Sequence, residues 1–301
     1  MKRRAGMNLV ETLVVVGVVG FGLAIVLPAI QSARSTNCRP RCQNNLKNLV
    51  LAVNQYCIRE RTFPVNTTAS PAGGPEHSWT TLILADLDQP DLYDHYNFAV
   101  ECFDPANRNV VDTTLSFFRC PDNPTYRPLH GNPSERVRRV DGTFCPPGSE
   151  FAPGHYGANW GGGRLAGFGD DFARTQGLYR GVMIPAGFPT PRGTTAPVRP
   201  RDVTDGLATT VLLAEKRDGQ GWAVGGYGGG DFDAATSPAP PDRPDVRAVV
   251  SGSFHPAGGG RLVQVAFADG SVRVLDRAMP RAVWYALLTR DGGETIPEGS
   301  Y

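Results

Sequence analysis

Three sets of side chains in this sequence could do chemistry: six cysteines, five histidines and a few acids in unusual places. The cysteines are Cys38, Cys42, Cys57, Cys102, Cys120 and Cys145. An even number suits disulfides in an exported chain. Six cysteines allow fifteen pairings, and spacing selects none of them. Cys38 and Cys42 have the i,i+4 spacing of one helix face, with Pro40 between them. A Cys42–Cys120 bond would staple a helix to a strand domain. Zinc is the rival use of such residues, but its ligand pairs show CxxC or HxxxH spacing, and neither occurs. The histidines His77, His95, His130, His155 and His255 are scattered. No HExxH, GxSxG or nucleophile–base set forms by spacing. Asp86, Asp88, Asp91 and Asp94 could offer oxygens to calcium, but the EF-hand spacing and its Gly are missing, so a solvated acidic face is the simpler reading. Asp269-Gly270 reads as a hairpin turn, because Gly supplies positive φ. The expectation is a non-enzymatic chain with no cofactor and no metal.

The remaining acid is Glu11. It sits inside Leu9–Ile30, a run that is apolar apart from Glu11 and Thr12. At 1.5 Å per residue such a run spans about 33 Å, against a hydrocarbon layer of roughly 30 Å. Lys2, Arg3 and Arg4 precede it and favour a single-pass, N-in topology with the rest of the chain exported. An ionised carboxylate there costs a few kcal/mol unless it is paired. A cleaved secretory signal with its core at Leu13–Leu27, or a plain anchor, are the alternatives; the segment Pro28–Ala33 offers a poor small-x-small cleavage site.

The elements that must position these groups follow from periodicity. Leu46, Leu49, Val50, Val53 and Cys57 form one helical stripe, so the first helix is expected to continue to about residue 58, with a kink near Arg39 caused by Pro40. Phe63–Pro75 reads as loop, Trp79–Tyr96 as helix divided by Pro90, and Leu115–Phe118 as a short strand. Thr209–Glu215 reads as a strand. Val263, Val265 and Phe267 alternate, Asp269-Gly270 turns, and Val272 and Val274 return. A helix carrying Val283, Trp284, Leu287 and Leu288 follows. Trp160 and Trp222 lie in Gly-rich loops, where they could bind a partner or anchor the loops. The expected class is therefore α+β, with a long N-terminal hydrophobic helix followed by a small antiparallel-sheet domain with large loops.

Composition agrees with this division. The chain has 301 residues, 30 Lys+Arg and 29 Asp+Glu, a net charge of +1 that argues against a nucleic-acid partner. Its 36 Gly and 26 Pro make about a fifth of the chain, above the usual ~12%. That load excludes a coiled coil beyond the first helix.

The segment Arg4-Ala5-Gly6-Met7-Asn8-Leu9-Val10-Glu11, with the apolar run after it, resembles the type IV prepilin-like (pseudopilin-like) class. The resemblance implies cleavage after Gly6 by a prepilin peptidase and N-methylation of Met7. Glu11 would then be the fifth mature residue, able to pair with the free amine of a neighbouring subunit's Met7. Met7 and Asn8 depart from the usual Phe and Thr. The implied divisions are a leader at 1–6, a membrane-spanning and continuing helix at 7–58, and an exported domain at 59–301. The implied partners are membrane lipid, other pilin-like subunits or secretion machinery of type II secretion or type IV pilus kind. The implied location is the cytoplasmic membrane, with the domain reaching toward the cell surface; a membrane-anchored binding module that does not polymerise is the alternative.

The exported part is similar to a prepilin-like family abundant in planctomycetes, whose C-terminal signature is His, nine residues, Asp-Gly. The matching pieces are Cys42-Gln43-Asn44-Asn45-Leu46-Lys47, Leu92-Tyr93, Phe118-Arg119-Cys120-Pro121, Tyr156-Gly157-Ala158-Asn159, Thr204-Asp205-Gly206, Leu212-Leu213-Ala214-Glu215, Phe267-Ala268-Asp269-Gly270-Ser271-Val272 and Arg290-Asp291-Gly292-Gly293-Glu294. The resemblance makes His255, Asp269 and Gly270 the signature residues, although thirteen residues separate His255 from Asp269 here.

Overall fold

A computed structural model of the chain describes residues 9–68, 73–121, 151–161, 179–190, 192–216, 221–224, 231–232, 262–276 and 278–301. Helix α1 spans Leu9–Glu60. Three short helices follow: α2 at Trp79–Leu82, α3 at Pro90–His95 and α4 at Arg108–Val111. The strands are β1 Tyr156–Asn159, β2 Pro189–Thr190, β3 Gly193–Thr194, β4 Val211–Glu215, β5 Asp231–Phe232, β6 Leu262–Phe267 and β7 Val272–Asp276, and α5 closes the order at Arg281–Leu288.

The main sheet has strand order β5-β1-β4-β6-β7, and β2 and β3 form a second, two-stranded sheet. β6 and β7 form the expected hairpin, with Leu262 opposite Asp276 and Ala266 opposite Val272. Its turn works as the residue types require: Gly270 has φ +92°, its N–H donates to Phe267 O at 3.0 Å, and Asp269 Oδ1 accepts the Ser271 N–H at 2.8 Å.

Strand period 2 builds two cores on the two sheet faces. Val263, Val265 and Phe267 point to one face and meet Val283, Trp284, Leu287 and Leu288 of α5. Ala266, Tyr156 and Ala158 point to the other, with Cys42, Leu46, Leu49, Val50 and Val53 of α1, each of those five no more than 1% exposed. β4 contributes Val211 and Ala214 to the first face and Leu213 to the second; an irregular register between Val211 and Leu213 lets this happen. The layers are thus α1 with the short helices, the sheet, then α5.

The first expectation about α1 is corrected. It is not a long hydrophobic helix. Beyond Arg39 it is amphipathic. Among the described residues, no helix is long and apolar enough to cross a membrane. The sheet is likewise not purely antiparallel, because β5 runs parallel to β1. α1 also passes Pro40 without a break. An exposed proline costs one backbone hydrogen bond there, and packing resumes at Cys42. Ser116–Phe118 is a 3₁₀ turn, not a strand. Phe118 is drawn inward to stack on Trp222, with ring centroids 5.2 Å apart.

Trp222 and Trp160 are both buried, so they anchor loops. Trp222 donates its indole N–H to Thr113 O at 3.0 Å. The backbones at Gly161 and Gly181 touch: a Cβ on Gly161 would lie 2.1 Å from Gly181 N, and Gly161 has φ +78°. Gly161→Ala therefore combines a clash with a strained backbone. It is expected to destabilise the fold by at least about 2 kcal/mol in urea unfolding; wild-type stability in that variant would show the contact to be dispensable.

Candidate functional site

Two assemblies of polar side chains stand out, one inside the molecule and one open to solvent. The inner one lies where α1 crosses the sheet. Cys42 and Cys120 are disulfide-bonded, with Cα atoms 5.3 Å apart. One helical turn on, Asn45 Nδ2 donates to Arg119 O at 2.8 Å and to the Tyr156 hydroxyl at 3.2 Å. His155 is fully buried beside the bond, and its Nδ1 accepts the Cys120 N–H at 3.0 Å, so its ring proton sits on Nε2. Burial first, then Lys216 and Arg119, push its pKa down to about 4. Glu215 is buried opposite Tyr156 and accepts from Gln264 N at 3.2 Å and Gln264 Nε2 at 3.3 Å. Cys42, Cys120 and Glu215 bring their ligand atoms within 4.8 Å of one another. The disulfide uses both sulfurs, so in this state the trio is a seam between layers and not a metal centre.

The other predicted residues fall in several places. Cys57 and Cys102 are buried, and burial raises the Cys57 pKa. Cys38 and Glu11 lie in α1. Gly6, Met7, Cys145 and His255 fall outside the described residues. Asp269 and Gly270 are turn residues, as described. Of the four clustered aspartates, Asp86 is engaged by Arg59 Nη1 at 2.5 Å and Asp88 takes positive φ, +55°, to end a 3₁₀ turn.

The outer assembly is a cleft of about 530 Å³. Its charged walls are Arg180, Arg192, Arg199, Arg290, Asp202 and Asp291. The tail that carries Arg290 and Asp291 is held by one carboxylate. Asp205 Oδ2 accepts Gly292 N–H at 2.6 Å and Oδ1 accepts Gly293 N–H at 2.8 Å, while Asp205 N donates back to Arg290 O at 3.1 Å. Arg290 Nη1 donates to Tyr179 O at 2.8 Å and Gly181 O at 2.7 Å, fixing the tail to the 179–190 segment. Burial lowers the Arg290 pKa, and Asp291 counters this. Asp291 spans the cleft, with Oδ1 on Arg180 Nε at 2.8 Å and Oδ2 on Arg192 Nη1 at 3.0 Å. Arg199 and Asp202 pair as a fork, at 2.9 and 3.1 Å. Below the cleft, Val198 O accepts the Phe63 N–H at 2.7 Å, which ties it to the end of α1.

No spacing rule finds this cleft, since its residues come from four separated stretches. The one sequence signal was the pair of motifs Thr204-Asp205-Gly206 and Arg290-Asp291-Gly292-Gly293, which the fold joins through Asp205.

With the two-faced sheet, the bonded seam and this cleft in view, the comparisons fall into place. The chain belongs to the family described as Protein of unknown function (DUF1559), whose model matches residues 31–281. No curated protein and no solved structure matches it.

Three outcomes are expected. Replacing both Cys42 and Cys120 by Ser should lower the unfolding free energy by about 2–5 kcal/mol, because their bond closes a large loop in the unfolded chain; guanidinium titration measures it. His155 has its folded pKa below its unfolded value of 6.5, so its contribution is complete above pH 6.5 and is lost as pH falls toward 4. That group alone should remove about 3 kcal/mol over this window, and His155→Gln should flatten the slope of stability against pH there. Asp205→Asn should speed amide hydrogen exchange at Gly292 and Gly293 by at least about tenfold, as a charge-assisted acceptor becomes a neutral one.

Proposed function

We propose that the chain is a prepilin-like, membrane-anchored subunit. A prepilin peptidase cuts it after Gly6, Met7 becomes the methylated N-terminus, and the sheet layers are presented outside the cytoplasmic membrane to a type II secretion- or type IV pilus-like assembly. The reading extends to the planctomycete-type signature with His255, Asp269 and Gly270. It assigns the chain no catalysis.

The observation that carries the proposal is the exposure of the first turns of α1. Leu9 is 77% exposed, Leu13 68%, Val16 65%, Val18 67% and Phe21 72%. These exposed apolar positions are spread round the helix, unlike the single buried stripe at Cys42–Cys57. An apolar surface of this extent calls for lipid or another apolar helix around it. The sequence carries the run on to Ile30, and the basic residues Lys2, Arg3 and Arg4 lie before it. Glu11 within that run is answered by an amine, and the methylated Met7 of a neighbouring subunit supplies one.

The basic cleft favours a second reading, an anchored surface module that binds a partner and does not polymerise. Crosslinking of cells carrying the native chain separates the two: a ladder of higher species supports assembly, and a monomer alone supports the module.

Mass spectrometry of the mature chain tests the processing step. A methylated N-terminus at Met7 is expected, and a start at Met1 or after Ala29 would sink the prepilin reading. Glu11→Ala should abolish crosslinked ladders while leaving the membrane-bound amount unchanged; ladders of wild-type intensity would remove Glu11 from the assembly.

A further inference from the structure

The cleft between the 179–202 segment and the C-terminal tail is built for a ligand that brings negative charge. Among the described residues, four guanidinium groups line it against two carboxylates, Asp202 and Asp291, in a chain whose net charge is only +1. The guanidiniums are not loosely placed. The Arg180 side chain is 9% exposed and Arg290 is anchored to two carbonyls, so the inner pair is preset. Arg192 and Arg199, 64% and 49% exposed, stand at the mouth. Asp291 shows how the site handles a carboxylate: it bridges Arg180 and Arg192 with one oxygen each.

The rest of the lining narrows the ligand class. Thr62 and Thr194 are also in the lining, and Tyr179, Ile184 and Val198 give an apolar wall. A bare oxyanion would fill little of 530 Å³, a volume within the range of about 300–1,000 Å³ typical of small-molecule sites. A lining rich in guanidinium groups, with threonines and one apolar wall, suits a hydroxylated, ring-containing molecule that carries carboxylates. We infer that this cleft binds an acidic saccharide, with its carboxylates on Arg192 and Arg199 and its ring edge toward Val198. The inference stands apart from the pilin-like reading, since an anchored module and a polymerised subunit would both expose the cleft.

Calorimetric titration of the detergent-solubilised full chain at pH 7 and low salt tests it, with digalacturonate, maltose and inorganic phosphate as probes. Digalacturonate should bind, maltose should bind at least about tenfold more weakly, and binding should weaken with added salt. Arg192→Gln with Arg199→Gln should reduce digalacturonate affinity at least about tenfold. Both side chains are on the surface, so the double variant should melt at the wild-type temperature, and a loss of binding is then a loss of the site. Three results would overturn the inference: no binding of digalacturonate, equal binding of maltose, or an unaffected double variant. Phosphate binding as tight as digalacturonate would also overturn it, by reducing the cleft to a simple oxyanion site.

Discussion

The docking of α1 on the sheet is the constraint on which the rest of the structure depends. Five side chains from Cys42 to Val53 are withdrawn from water against Tyr156, Ala158, Leu213 and Ala266. Burial at roughly 25 cal/mol per Å² gives this contact its strength. Area alone does not fix a helix in rotation or along its axis. Directional groups do that here: the Cys42–Cys120 bond and the Asn45 amide one turn later, which reaches the Arg119 carbonyl and the Tyr156 hydroxyl. Short helices α2–α4 and the loops then fill around a seam already set.

The same logic recurs across the molecule. Single polar side chains act as ties between distant parts. Asn159 at the end of β1 donates to Val211 O at 2.7 Å and Leu288 O at 2.9 Å, and its Oδ1 accepts the Gly161 N–H at 2.9 Å. One amide therefore joins β1, β4 and α5 to the bend where Gly161 meets Gly181. Asp205 does the same for the tail. In a fold with short strands and long connections, few backbone ladders span the layers. Buried amides and carboxylates that hold peptide groups take over that task. Each is costly to remove, because the peptide group it holds would be left unpaired.

Legibility in the sequence followed the range of the interaction. The β6–β7 hairpin and α5 were readable, because period 2 in Val263, Val265 and Phe267, the Asp269-Gly270 turn, and the spacing of Val283, Trp284 and Leu287 are local signals. The amphipathic stripe of α1 was readable for the same reason. Ser116–Phe118 was misread as strand because its apolar run is equally suited to a buried turn, and only Trp222, far along the chain, decides it. The helix runs through Pro40 without the break that a proline can cause, at the cost of one backbone hydrogen bond, and its buried stripe begins at Cys42. Of the candidate sites, the Cys42–Cys120 staple was among the pairings the cysteines allow and is the one present, whereas the cleft left no spacing signal, since Arg180, Arg199 and Arg290 come from separated stretches.

The disulfide has a consequence for how the chain can be taken apart. Cys42 lies in α1 and Cys120 lies beyond α4, so the bond closes a ring of chain across a sequence separation of 78. A protease that nicks this ring anywhere between residues 43 and 119 leaves both fragments in one covalent molecule. Shedding of the sheet layers from the apolar N-terminal segment by such a nick then needs a reductant as well as a protease, whereas a cut before residue 42 releases them at once.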